Sequence, residues 1–121
     1  MYIGKVSKLT GATPKAIRHY EAIGLITPPI RKGKYRYYSD SDIAVISFIK
    51  RAQEYGFKLS ELRAMVKEMG ADNKVSYESL TSAIHEKQKQ IQKQLLKLST
   101  QNDNLSKLSS QIQIQNKCPY T

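Results

Sequence analysis

Residues 13–38 read TPKAIRHYEAIGLITPPIRKGKYRYY, and this stretch contains the signals that decide the fold. Thr13 suits a helix N-cap, and Pro14 suits the first helical position, where a missing N–H breaks no helical hydrogen bond. Gly24 is placed to end this helix, and the Pro-Pro pair that follows prevents its continuation. The stretch therefore predicts a short helix, a break, and then a basic segment rich in tyrosine.

A second short helix is predicted just before this stretch. Ile3, Val6 and Leu9 recur at helical spacing, and Gly11 is placed to stop the helix. Only Gly-Ala-Thr separates the two predicted helices, which is shorter than an ordinary loop in a helix bundle. Such a pair is typical of a helix-turn-helix, whose second helix enters the major groove of DNA.

The segment from Ile30 to Tyr38 is predicted to form a short β-hairpin, which we call the wing. Its residues are compatible with strands on both sides of a glycine. Strand alternation places Tyr35 and Tyr37 on one face and Arg36 and Tyr38 on the other. We expect one face to pack on the core and the other to meet phosphate.

Two further helices complete the predicted first domain, residues 1–70. Ser39 and Asp42 have capping-box spacing and start a helix that runs to Gly56. Ser60 is predicted to cap the next helix, which closes at Gly70. Residues 71–76 are then expected to be a polar linker. The predicted class is mainly α, a winged helix-turn-helix with a small β wing.

The rest of the chain carries an apolar residue at every seventh position from 77 to 112. A single helix this polar is not stable alone in water, so we predict a dimerisation coiled coil over residues 77–112 and a short tail over 113–121. Packing of the helix back on its own domain is the alternative. The predicted dimer interface comprises Tyr77, Leu80, Ile84, Ile91, Leu95, Leu98, Leu105, Leu108 and Ile112.

The charge of the chain indicates a polyanionic partner. Its 121 residues include 20 Lys and Arg against 10 Asp and Glu, which gives a net charge of +10. A basic surface of this kind favours double-stranded DNA. A membrane surface is the rival, but the chain has no long apolar run and no secretory signal pattern. We therefore expect no membrane association, and the single cysteine favours the reducing cytoplasm.

Candidate DNA contacts lie on the second helix and on the wing. Lys15, in the first turn of that helix, is placed to read a base edge, whereas Arg18 is better suited to phosphate. Tyr20 suits either the core or a phosphate contact, and a solvated helix face is the alternative for Lys15 and Arg18. The full predicted set is Lys15, Arg18, His19, Tyr20, Arg31, Lys34, Tyr35, Arg36, Tyr38 and Lys58.

Catalysis is not expected, because the chain offers no nucleophile with a base, no phosphate-binding loop and no carboxylate pair. We also expect no cofactor and no metal. Soft-metal and iron–sulfur sensors need two or more thiolates, and this chain has only Cys118. Oxidation or alkylation of Cys118 stays open as a sensing route.

Five motifs together resemble the signature of MerR-type transcription regulators. They are IGKV from residue 3, IRHYE from residue 17, GLI from residue 24, YRYYS from residue 35 and YGF from residue 55. The resemblance runs from Ile3 to about Met69, and the long helix is similar to the antiparallel dimerisation coil of that family. Two positions differ from the usual pattern. His19 replaces an aromatic residue, and Lys34 stands where a glycine commonly precedes the wing tyrosine.

The resemblance implies a homodimer that binds a pseudo-palindromic promoter site and distorts the DNA, with RNA polymerase as a further partner. In an antiparallel coil, Cys118 and the partner's His85 would approach one another, which leaves a shared site open. A separate drug-binding domain is not expected from the few residues after Ile112. The alternative function is a DNA-architectural or excisionase-like accessory protein, which also bends DNA.

Overall fold

The computed structural model describes residues 1–69 and 74–115, and it confirms the predicted mainly helical class with a small β wing. Residues Met1–Thr81 form one compact unit, and a second begins at Ser82. The elements in chain order are α1 (Ile3–Thr10), α2 (Pro14–Ala22), β1 (Ile30–Lys32), β2 (Tyr35–Tyr37), α3 (Asp40–Glu54), α4 (Leu59–Glu68) and α5 (Tyr77–Gln115).

The turn between α1 and α2 forms as the sequence predicts. Gly11 adopts a φ of 78°, a left-handed conformation that glycine tolerates without strain, and its N–H donates to the Ser7 carbonyl. Thr13 then caps α2, since its Oγ1 accepts a hydrogen bond from the Ala16 N–H at 3.1 Å. The two caps fix a three-residue connection and hence the helix-turn-helix geometry.

The predicted wing is also present, as an antiparallel pair in which Arg31 lies opposite Arg36. Gly33 occupies the first position of the two-residue turn with a φ of 64°, which suits the turns that hairpins favour. The N-terminal segment was not predicted to pair with this sheet. Tyr2 forms an antiparallel bridge with Tyr37, and the Tyr38 N–H donates to the Met1 carbonyl at 2.6 Å.

The start of α3 is confirmed and the predicted start of α4 is wrong. Ser39 and Asp42 form the full capping box that begins α3. In contrast, Ser60 lies inside the first turn of α4, and Lys58 occupies the N-cap position. The Glu61 carboxylate accepts the Lys58 N–H at 2.9 Å. An acid three residues after the N-cap therefore sets this boundary, without a capping hydroxyl.

The core of the first unit lies where α1, α2, α3 and α4 meet. Two polar contacts join these helices. The Tyr20 hydroxyl donates to Gln53 Oε1 at 2.6 Å, and Arg63 Nη2 donates to the Ile23 carbonyl at the end of α2. These contacts hold α2 against α3 and α4. Buried apolar residues are Val6, Ala12, Ile17, Tyr20, Leu25, Ile26, Tyr38, Ile46, Ile49, Leu62 and Met65.

The last helix, α5, begins where predicted and continues three residues beyond Ile112. Ser76 Oγ accepts the Ser79 N–H and caps its first turn. The predicted domain boundaries at 70, 76 and 112 stay predictions. Residues 70–73 and 116–121 lie outside the described part of the chain. Gly70 and Cys118 are among those residues. No helix in the described ranges combines the length and apolar character that crossing a bilayer requires.

Candidate nucleic-acid interface

A groove of about 530 Å³ opens between α1, α2 and the wing. Three basic residues line it, Arg18 from α2 and Lys34 and Arg36 from the wing, so the groove joins two elements that are separate in sequence. The remaining lining residues are Tyr2, Ile3 and Tyr35. Two guanidinium groups, an ammonium and a tyrosine hydroxyl are the donors that contact DNA phosphate oxygens in complexes. The groove is therefore suited to a phosphodiester backbone.

The N-terminus of α1 borders this groove and adds to its positive character. Ile3 is the first residue of α1, and the side chain of the preceding Tyr2 forms no capping hydrogen bond. The N-terminal end of a helix carries partial positive charge and favours an anion. A Cβ placed on Gly4 would meet no atom within 4 Å, so the helix is open to solvent at this position.

Arg36 forms an ion pair with Glu21 of α2. Arg36 Nε donates to Glu21 Oε2 at 2.8 Å, and the two side chains are 31% and 17% exposed. The pair links α2, the second helix of the helix-turn-helix, to the wing. Because Arg36 shares its strand face with buried Tyr38 and yet lines the groove, the expected division into a core face and a phosphate face is too simple.

The opposite face of the wing carries a cluster of aromatic rings. Tyr2 contacts Tyr37 edge to face at a centroid distance of 5.3 Å, and Tyr35 at 6.3 Å. The Lys32 ammonium lies 3.7 Å from the centre of the Tyr37 ring, which is cation–π geometry. These contacts brace the wing against the N-terminal segment and hold Tyr35 at the edge of the groove.

Two predicted DNA contacts are buried instead of facing the groove. Tyr20 is 2% exposed and its hydroxyl is bonded to Gln53, so the core role considered for it is the one observed. Tyr38 is 1% exposed, and its hydroxyl has no hydrogen-bond partner among the described residues. Burial raises the pKa of both hydroxyls above the ordinary tyrosine value. For Tyr38, the charges of Glu21 and Asp42 also raise the pKa, while those of Arg36 and Arg18 oppose the rise.

The other predicted contacts are exposed but do not line the groove. Lys15 and His19 lie on the exposed surface of α2. Arg31 donates to the Lys34 carbonyl at 3.3 Å and so stiffens the wing turn. Lys58 is exposed at the N-cap of α4. The groove thus gathers four of the ten predicted contacts, namely Arg18, Lys34, Tyr35 and Arg36.

The predicted dimer residues leave an exposed apolar stripe on α5. Ile84 and Ile91 are each 42% exposed, and Leu98 is 61% exposed. Tyr77, Leu80, Leu95, Leu105 and Ile112 are exposed as well, and Leu108 is half-buried. A stripe of exposed apolar side chains on one helix is suited to pack against a second helix.

Glu21, which pairs with Arg36, was not among the predicted site residues, although it lies in the IRHYE motif. An acid inside a basic segment was the available signal. Tyr2 and Ile3 were missed because they reach the groove through pairing with a distant strand. In residues 1–69 and 74–115, no three side chains of His, Cys, Asp or Glu come together in a group that could hold a metal ion.

Comparison with known sequences gives two family matches. The family described as "MerR HTH family regulatory protein" matches residues 1–69, and the family described as "MerR, DNA binding" matches residues 43–108. The chain is 31% identical to the HTH-type transcriptional regulator PA4778 of Pseudomonas aeruginosa, over 89% of this chain and 82% of that protein.

A second relative is matched over the N-terminal part alone. The chain is 42% identical to the HTH-type transcriptional regulator HmrR of Sinorhizobium medicae over 67 residues, which are 54% of this chain and 46% of that protein. The match therefore spans about half the length of that relative. Among solved structures, the lead(II) complex of the transcription regulator PbrR691 from Ralstonia metallidurans is similar in fold. Its TM-score is 0.75 at 22% identity, and the match covers 91% of this chain and 86% of that one.

Proposed function

Since this chain belongs to the MerR family of regulatory proteins, we propose that it is a transcription regulator that binds double-stranded promoter DNA as a homodimer. The observation that carries the proposal is the groove lined by Arg18, Lys34 and Arg36. These three cations come from two separate elements and meet on one surface. A solvated basic surface would not require such convergence.

In the proposed complex, the groove holds the DNA backbone and α2 lies in the major groove. Arg18, Lys34 and Arg36 bind phosphate oxygens, and the Tyr35 hydroxyl adds a donor at the edge of the same groove. Lys15 lies in the first turn of α2, where side chains of a recognition helix meet base edges, so we assign it to base contact. Tyr20 and Tyr38 are buried and support the interface from the core.

The α5 helix supplies the proposed dimer contact. Its exposed stripe repeats every seven residues, and pairing with a second copy would cover it. A two-fold dimer requires an operator with two related half-sites. With few base contacts, much of the selectivity would come from the cost of deforming DNA, so we propose that operator distortion controls access by RNA polymerase. Promoter DNA lies in the bacterial cytoplasm, which is the proposed place of action.

Selection of genomic fragments of the host bacterium by the full chain, followed by footprinting, tests this function. We expect one promoter-proximal site with two protected half-sites about one helical turn, or a multiple of one, apart. Clustered sites at recombination junctions would favour the accessory-protein alternative. Binding at equal affinity to every fragment would contradict regulation of a particular promoter.

A further inference from the structure

Glu21 is an acid in a surface that is otherwise suited to phosphate. Its side chain is 17% exposed, it follows buried Tyr20 on α2, and it contacts Arg36 of the wing. On charge alone, a carboxylate at this place repels DNA, and its removal would be expected to tighten binding. The geometry of its ion pair leads to the opposite expectation.

The contact between Glu21 and Arg36 uses only one of the guanidinium nitrogens. Arg36 Nε donates to Glu21 Oε2 at 2.8 Å, and the two terminal nitrogens, with four N–H donors, are not part of that hydrogen bond. A guanidinium held through Nε has its terminal pair fixed in one plane, as bidentate phosphate binding requires. Arg36 lines the groove with Arg18 and Lys34, so its fixed donors border the same space as theirs.

The register of the hairpin explains why Arg36 needs a partner that holds it in place. Arg31 lies directly opposite Arg36 in the hairpin, on the same face of the sheet. Like charges at directly opposed strand positions repel one another and destabilise the pair. Arg31 is turned toward the Lys34 carbonyl, and Glu21 balances the charge of Arg36 on the side of α2. Without Glu21, Arg36 would move away from Arg31 and toward solvent.

We propose that Glu21 is a positioning residue for DNA binding, which holds Arg36 through Nε so that its terminal nitrogens bind a backbone phosphate. The inference rests on the proposed DNA-binding function. It assigns to Glu21 a favourable effect on DNA affinity, whereas its charge alone would predict an unfavourable one. It also means that α2 and the wing engage DNA as one unit, because Glu21 lies on α2 and Arg36 on β2.

The test is the affinity of the full chain for a mixed-sequence duplex, measured over about 50 to 200 mM potassium chloride. Glu21→Ala should weaken binding by about tenfold to a hundredfold, the range expected for losing one charged hydrogen bond. It should also reduce the salt dependence by about one phosphate per protomer. Glu21→Gln should keep the wild-type salt dependence, because its amide oxygen still accepts the Nε–H. Glu68→Ala, which removes an exposed carboxylate from α4, is the matched control and should not weaken binding.

A double-mutant cycle with Arg36→Ala separates positioning from a general effect on folding. In the Arg36→Ala background, removal of Glu21 should cause no further loss of affinity. A further loss of the same size would overturn the proposal, as would Glu21→Ala binding more tightly than the unmutated chain. If the unmutated chain fails to bind any duplex, both this role and the proposed function are overturned. Tight binding by Glu21→Ala overturns only the role of Glu21.

Discussion

At the scale of single residues, Tyr20 and Tyr38 both have buried rings but differ in what their hydroxyls meet. Both rings are buried, but the Tyr20 hydroxyl donates to Gln53, whereas that of Tyr38 has no partner among the described residues. Tyr20→Phe should lower the free energy of unfolding by about 1 kcal/mol, the net value of a typical hydrogen bond. Tyr38→Phe should leave it unchanged or raise it by up to about 1 kcal/mol, because a buried unpaired hydroxyl is removed.

Urea unfolding of both variants at one protein concentration measures this difference, and the concentration matters because a dimer would be stabilised by mass action. The two variants serve as controls for each other, since each removes one oxygen from a buried ring. An equal loss of stability in both would mean that the Tyr38 hydroxyl has a bonding partner after all.

The same tyrosines predict how stability depends on alkaline pH. Burial raises the pKa of both above 10.0, so the unfolded chain loses these protons at lower pH than the folded chain does. The stabilisation is complete below about pH 10 and is lost as the pH rises toward the folded pKa values. Between about pH 9 and pH 11, a Tyr20→Phe/Tyr38→Phe variant should lose less unfolding free energy than the unmutated chain. Parallel curves would refute this assignment.

The environments of individual wing residues could not be predicted from the sequence. Strand alternation placed Arg36 and Tyr38 on one face, but it gave no means of deciding which side chain was buried. Burial of Tyr38 and pairing of Arg36 with Glu21 depend on how α2 packs against the wing. The groove depends on the same packing. These contacts join residues distant in sequence, and no local pattern encodes them.

At the scale of elements, helix ends were predictable where a local side chain makes the cap. Thr13 and Ser39 each accept a backbone N–H three residues ahead, so the sequence contains the whole interaction. The wing turn was predictable for a similar reason, because Gly33 takes a positive φ that other residues avoid. The prediction that Ser60 caps α4 was wrong because the Glu61 carboxylate, and not a serine hydroxyl, binds the N–H at the start of that helix.

Ser39 and Ser60 provide a matched test of this distinction. Ser39→Ala removes the side chain that accepts the Asp42 N–H and should lower the free energy of unfolding by about 1 kcal/mol. Ser60→Ala changes an exposed residue inside the first turn of α4 and should change it by less than about 0.5 kcal/mol. Thermal or urea unfolding distinguishes them. A larger loss of unfolding free energy in Ser60→Ala than in Ser39→Ala would mean that Ser60 caps α4 in the protein.

At the scale of the whole molecule, the α5 stripe predicts the oligomeric state. Ile91→Glu/Leu98→Glu places two charges in the proposed interface and should convert the dimer to a monomer. The matched control is Gln92→Glu/Ser99→Glu, which adds the same charges one position further along α5 and off the stripe. Sedimentation at several protein concentrations measures the mass. An unchanged mass in the stripe variant, or a monomer in the control, would contradict the assigned interface.

In the proposed complex, two copies of one basic groove, one from each protomer of the dimer, hold the DNA backbone. The salt dependence of duplex affinity tests this arrangement, because the slope of log affinity against log salt concentration reports the number of phosphates contacted. Arg18→Ala/Lys34→Ala removes two groove cations per protomer, whereas Lys93→Ala/Lys107→Ala removes the same charge from the exposed surface of α5. We predict that the groove variant lowers the slope by about four per dimer and that the α5 variant leaves it close to the wild-type value. Equal slopes for the two variants would mean that the groove does not hold the DNA backbone.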